Sequence, residues 1–246
     1  TPTRISTKPT FKQSLMYCAA TGLPKAQPCR HSRMRSPKNA ASTTVTVNSD
    51  VVLSGLLSGA FGLTKTGNGA LTLSGNVALG GDSTLTVASA ATLSGVVSGA
   101  FDLTKTGSAE LILSGVNTFS GATVVDAGTL TLSGGSALAN SMAVTVNASG
   151  TLKLASSEEI ATLAGAGAVN LQANTLTLSG SGNTTYSGVM SGAGSLVKSG
   201  SGELTVSGTN TFSGGATVSG GAVLVGNNAA FGSGTVPKDR LGGGQH

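Results

Sequence analysis

The sequence predicts an all-β fold in which residues 42–236 wind as a parallel β-helix, a β-solenoid of about nine or ten coils. Three observations predict it. Long segments recur along the chain, hydrophobicity alternates with period two inside them, and the composition favours small aliphatic side chains over aromatic ones.

The repeats come first. Val52 to Gly75, VLSGLLSGAFGLTKTGNGALTLSG, aligns without a gap to Thr92 to Gly115, TLSGVVSGAFDLTKTGSAELILSG; the offset is 40 residues and 16 of 24 positions agree. A third copy, TYSGVMSGAGSLVKSGSGELTVSG, starts 93 residues after the second, at Thr185. The stretches beginning at Val116, VNTFSGATVVDAGTLTLSG, and at Thr209, TNTFSGGATVSGGAVLVG, also recur. An offset of 40 reads as two turns of a solenoid. The offset of 93 is not a multiple of 20, so it predicts coils of varying length or a protruding loop. The later copy carries one extra residue near Gly214-Gly215. Within a strand it would invert every side chain beyond it, so it is expected in a turn.

Inside each copy Leu71-Thr72-Leu73, Leu85-Thr86-Val87, Leu130-Thr131-Leu132 and Leu176-Thr177-Leu178 alternate apolar and polar residues. Period two sends Leu and Val to one face and Thr to the other. Each run ends in Ser-Gly, Gly-Asn or Gly-Gly, which accept tight-turn conformations. No proline lies between Asn39 and Val236, and no window sustains a helical period. Units this short cannot bury a face alone and must stack on their neighbours. Stacked parallel strands about 4.8 Å apart give a rod on the order of 45 Å long. Leu71, Leu113 and Leu204 are expected inside it.

Composition supports a narrow core. The 246 residues include 38 glycines and no tryptophan; 3% are aromatic and 9% charged, yet 39% are hydrophobic. That hydrophobic share argues against simple disorder. Residues 1–41 carry Arg4, Lys8, Lys12, Lys25, Arg30, Arg33, Arg35 and Lys38 without an acid, whereas the remainder has six basic and nine acidic residues, a net charge of −3. A body of that charge is a poor phosphate-tracking surface, and nucleic acid is not an expected partner. The division expected is a basic, disordered non-repeat segment at 1–41, the repeat body at 42–236, and a non-repeat tail at 237–246. No run of about 20 apolar residues encodes a membrane-spanning helix, and no signal peptide is apparent.

At the level of whole strings, LTKTGNGALTLSG (63–75), LTKTGSAELILSGVNTFSGATVVDAGTLTLSG (103–134) and LVKSGSGELTVSGTNTFSGGATVSGGAVLVG (196–226) resemble the autotransporter-associated β-strand repeat of type V secreted passenger domains. The resemblance covers about four-fifths of the chain. It implies a right-handed parallel β-helix, export across the outer membrane, and a place outside the cell or at the bacterial surface. It does not imply one activity, because passengers of diverse function share the repeat. Family members usually end in a membrane β-barrel; nothing here resembles one, so the chain is expected to be a fragment whose translocator barrel belongs to the full-length protein.

Candidate chemistry was weighed residue by residue. The acids are Asp50, Asp82, Asp102, Glu110, Asp126, Glu158, Glu159, Glu203 and Asp239. Glu110 and Glu203 share a repeat position and are pattern rather than a unique pair. Glu158 and Glu159 are adjacent, so they point to opposite strand faces, and a solvated turn is expected. Lys65, Lys105 and Lys198 share one repeat position and are expected to be solvated, discouraging edge pairing; the functional alternative is a basic strip for anionic glycans. Phe119 and Phe212, in NTFSG, are expected against a corner of the core rather than as sugar-stacking platforms. Asn117 and Asn210 are expected to satisfy turn backbone. Paired threonines (Thr44/Thr46, Thr84/Thr86, Thr129/Thr131, Thr175/Thr177) evoke a water-ordering array, but Leu111-Ile112-Leu113 and Thr205-Val206-Ser207 break the series. No calcium-binding repeat is present, and the body lacks His for a nucleophilic triad. Cys18 and Cys29, with His31 as the single nearby imidazole, form no recognisable metal site.

No catalytic, metal or cofactor site is therefore expected, and no binding residue can be singled out. The functional expectation is a non-enzymatic passenger stalk serving display, adhesion or self-association, with glycans, a host surface or its own copies as partners. The alternatives are the remnant of a carbohydrate-active β-helix enzyme, a lyase or hydrolase, and a non-functional gene fragment.

Overall fold

The computed structural model describes residues 34–35, 42–46, 50–59, 62–66, 68–80 and 83–234, with backbone alone at 34–35, 42–46, 57–59, 62–66, 79 and 83. The basic leading residues with Cys18, Cys29 and His31, the tail with Asp239, the Asp82 position and the Lys65 side chain lie outside what is described. The described chain is a β-solenoid of about eight turns, without a helix. That is fewer than nine or ten coils, because the description of the body is continuous only from residue 83 onward.

Every strand pairing is parallel. Three stacked faces result. The first runs through Gly62–Thr66, Ser83–Val87, Leu103–Thr106 and the start of Thr123–Leu132, and continues to Thr184–Tyr186, Glu203–Val206 and Ala222–Val225. The second runs through Leu71–Leu73, Ala91–Leu93, Glu110–Leu113, the end of Thr123–Leu132 and of Ala143–Leu154, then Ala168–Asn170 and Met190–Ser191. The third has two ladders. Leu57–Gly59, Val77–Leu79 and Val97–Ser98 form one, and Glu158–Ile160, Thr175–Leu178, Ser195–Lys198 and Ala216–Val218 the other.

Period two works as the sequence implies. Leu71, Leu113 and Leu204 are no more than 1% exposed. On the second face Leu111, Leu130, Leu152, Val169 and Met190 stack into one buried column. Phe119 is fully buried and stacks on Phe101 at the corner, centroids 5.1 Å apart. Phe212 is buried too.

Glycine has a steric job where coils cross a corner. A Cβ on Gly115 would stand 2.3 Å from the Gly95 carbonyl oxygen, and one on Gly95 would stand 2.1 Å from that of Gly75. The Ser-Gly steps are thus packed backbone to backbone, one coil above the next. Gly214 and Gly215 lie between strands, ahead of Ala216–Val218, so the extra residue leaves the strand phase intact.

Coil length varies. Paired residues are 20 apart at Leu73 and Leu93, 22 apart at Ala127 and Ser149, and 17 apart at Thr151 and Ala168. This alone does not explain the offset of 93. The second copy places its Leu103–Thr106 strand on the first face and Glu110–Leu113 on the second. The third copy places the matching Ser195–Lys198 on the third face and Glu203–Val206 on the first. The motif has rotated by one face. Twenty residues over three faces is about 6.7 per face, and 93 residues is about 14 faces, which is four turns and two faces.

Candidate functional site

The chemically capable side chains divide into those turned into the rod and those left outside. Lys105 and Lys198 are turned in, contrary to the expectation of solvated lysines, and they form no glycan-gripping strip. Lys105 is fully buried between Leu85 and Val125; Lys198, 4% exposed, lies between Leu178 and Val218. The Lys105 ammonium donates to the carbonyls of Thr106 (2.8 Å), Gly107 (2.8 Å) and Ala127 (3.0 Å), and Lys198 donates to the Gly200 carbonyl. Each stem fills core volume while its head satisfies carbonyls that a tight corner would otherwise leave without partners. Burial lowers the Lys105 pKa to about 8 and shifts that of Lys198 in the same direction. The two lysines also occupy different faces.

Glu158 corrects a second expectation. It is on the strand Glu158–Ile160 and 4% exposed, not in a solvated turn, whereas Glu159 is half-buried on the opposite side. Its carboxylate accepts the backbone N–H groups of Leu138 (2.7 Å) and Ala137 (3.3 Å) in the preceding coil. Burial raises its pKa, opposed by those two backbone donors.

The reason for a buried carboxylate there is architectural. Between the two ladders of the third face, two coils pass through Asn117 and Ala137 without forming strands. Side chains carry the hydrogen bonding across the gap. Asn117 Oδ1 accepts the Val97 N–H at 2.8 Å and its Nδ2 donates to the Ala137 carbonyl at 2.7 Å; Glu158 then receives Ala137 and Leu138 from the far side. Asn210, on the second face, repeats the device by accepting the Met190 N–H and donating to the Ala230 carbonyl. Both asparagines are buried and satisfy backbone, as their repeat position suggests.

Outside, the faces carry hydroxyls and few charges. Thr86 bonds to Thr106 at 2.8 Å and Thr175 to Ser195 at 2.9 Å, both across one coil. Thr131 donates to Glu110, and Lys153 stands 3.6 Å from the same carboxylate. Asp50 and Asp102 accept the N–H groups of Ala70 and Ala122 one coil later, and Asp126 accepts from Asn147. Among the described residues no group of three His, Cys, Asp or Glu side chains could hold a metal ion. The one concavity of size, about 620 Å³, opens at the corner between the third and first faces; serine, threonine, glycine and Asn140 line it.

A family model described as the passenger-associated-transport-repeat matches residues 63–94, 103–132 and 196–225. The chain carries autotransporter passenger repeats. No curated protein and no solved structure matches it. The first two passenger repeats start on the first face and the third starts on the third face, so the repeat is a unit of corner chemistry and not of one fixed side. Passenger repeats point to a secreted or cell-surface setting. Among the described residues no helix is long and apolar enough to cross a membrane.

Proposed function

We propose that the chain is a non-enzymatic passenger stalk that makes lateral contacts, through adhesion or self-association, at the surface of the cell that exports it. One observation supports the reading above the others. The ionisable groups that the repeats supply, Lys105, Lys198 and Glu158, are turned inward and bonded to backbone, while the outward columns are threonine, serine and aliphatic residues. A catalyst needs an acid or base free to meet a substrate proton. A rod of hydroxyl faces suits many weak contacts, which linkage on one surface makes strong. Attachment to the outer membrane through a barrel in the full-length protein belongs to the same proposal.

The test is to couple the purified chain to beads and to incubate it separately with polysaccharides. Clustering of the beads, or glycan retention with no new reducing ends, is expected. Release of reducing ends or of unsaturated oligosaccharides would replace the stalk with a lyase or hydrolase.

A further inference from the structure

The corner between the third and first faces is not uniform. Most coils cross it on several residues: Ala139–Met142 in one coil, Ser179–Asn183 in another, 199–202 in the next. One coil, between these, crosses on Ala161 alone, because Glu158–Ile160 passes directly into Thr162–Gly165. The backbone ladder still runs through it, from Ala161 N–H to the Met142 carbonyl and from Gly180 N–H to the Ala161 carbonyl, both 2.8 Å. The recess therefore belongs to the fold and is not a local opening. Its floor is Ala143, Ala161 and Thr162, with the longer corners rising on either side.

We propose that this notch is a binding site for a short stretch of uncharged glycan. Two independent observations carry the assignment. The first is shape, since about 620 Å³ falls in the usual range for small-ligand clefts. The second is unspent hydrogen bonding. Asn140, Ser141, Thr162, Ser181 and Ser201 line the notch, and their side chains make no hydrogen bond to any described residue. Elsewhere on the rod hydroxyls bond from coil to coil, as in Thr86 with Thr106 and Thr175 with Ser195. Here the uneven corner lengths place the hydroxyls out of reach of one another.

The chemistry selects the ligand class. No lysine, arginine or carboxylate lines the notch, so nothing there recognises a charged polymer. Hydroxyls and an amide both give and accept hydrogen bonds, matching the mixed donors and acceptors of sugar hydroxyls. The methyl groups of Ala143 and Ala161 offer a small apolar floor for the C–H face of a pyranose ring. The inference narrows the stalk reading to one place and one ligand class, and it can fail without removing that reading.

The experiment uses the full chain and neutral linear hexasaccharides of glucose and of N-acetylglucosamine, followed by backbone NMR shifts. Saturable binding with Kd near or below about 1 mM is expected, with shifts centred on Ala161. Ser181→Trp, on the exposed rim, and Thr162→Arg, on the floor, should each weaken it about tenfold or more with unchanged far-UV circular dichroism. Thr92→Arg, on the second face, should leave it unchanged. Lack of saturable binding, binding of anionic glycans alone, or affinity that ignores both notch variants would overturn the proposal. Bead clustering that persists in the notch variants would leave the stalk reading standing while the site falls.

Discussion

Replacing Lys105 by methionine tests the reading of the buried corner most directly. Methionine keeps the unbranched stem and removes the ammonium, which leaves the Thr106, Gly107 and Ala127 carbonyls short of a donor. Bonds to a charged donor contribute about 1.5–3 kcal/mol each, but desolvating an ammonium costs several kcal/mol, so the two effects partly cancel at neutral pH. The pH dependence separates them. In the fold Lys105 has a pKa of about 8 against an ordinary 10.5, the result of burial. Between those values the unfolded chain binds a proton that the folded chain does not, so stability rises with pH. At about 1.36 kcal/mol per unit the wild-type chain gains roughly 3 kcal/mol across the window, and loses it as pH falls through 8. Lys105→Met lacks that term. Urea unfolding of both proteins at pH 7 and pH 10.5, followed by far-UV circular dichroism, should show the wild type gaining on the variant by a few kcal/mol at the higher pH. Taking the difference cancels titrations that the two proteins share. A difference that stays constant with pH would refute a desolvated ammonium at this corner.

Three further perturbations follow. Asn117→Ala removes both side-chain bonds that bridge Val97 and Ala137 and should cost about 2–4 kcal/mol, lowering Tm by roughly 5–15 °C in calorimetry; no shift would mean that the bridge is not used. Gly115→Ala puts a methyl group 2.3 Å from the Gly95 carbonyl oxygen, so a coil must move, and a loss of about 1–3 kcal/mol with new proteolytic cleavage near that corner is expected; an unchanged digest would count against backbone contact there. Glu158→Gln leaves one acceptor oxygen for two N–H groups and should cost about 1–3 kcal/mol at pH 7. Because burial raises the Glu158 pKa, the wild type is favoured below the ordinary carboxylate value and that contribution is lost as pH rises through the folded pKa. The cost of the substitution should therefore be larger at pH 4 than at pH 7, and the reverse order in thermal melts would contradict the assignment.

Much of the fold was legible in the sequence, and the points that were not share one cause. Alternation with period two locates Leu71, Leu113 and Leu204 correctly. The same rule, applied without regard to charge, also locates the buried polar residues. Lys105 stands two positions after Leu103, Lys198 two after Leu196, Glu158 two before Ile160, and Asn117 two before Phe119. Each shares the inward parity of its apolar neighbour, and each is buried. The expectation of solvated lysines and of a solvated Glu158 followed the general rarity of buried charge. In a narrow solenoid that prior is weaker, because every coil brings corner carbonyls and N–H groups within reach of a long side chain and can satisfy it without a counter-ion. Parity decides direction, and the backbone supplies the partner.

The same reasoning explains why no functional site could be read as a row of repeat positions. An offset of 40 residues returns a motif to its own face, but 93 residues advances it by about 14 faces and returns it one face away. Lys105 and Lys198, Asn117 and Asn210, and Glu110 and Glu203 are therefore equivalent in sequence and different in orientation around the rod. A ligand laid along one side cannot meet both members of any of these pairs at the same height on the same face. Selection acting on these positions acts on closing corners, which is indifferent to direction. Recognition must then depend on features that do not repeat, and the single-residue corner at Ala161, absent from the repeat pattern, is such a feature. It arises where the 143–183 segment departs from the 20-residue step, and coil lengths can be judged from sequence only after the strands are paired.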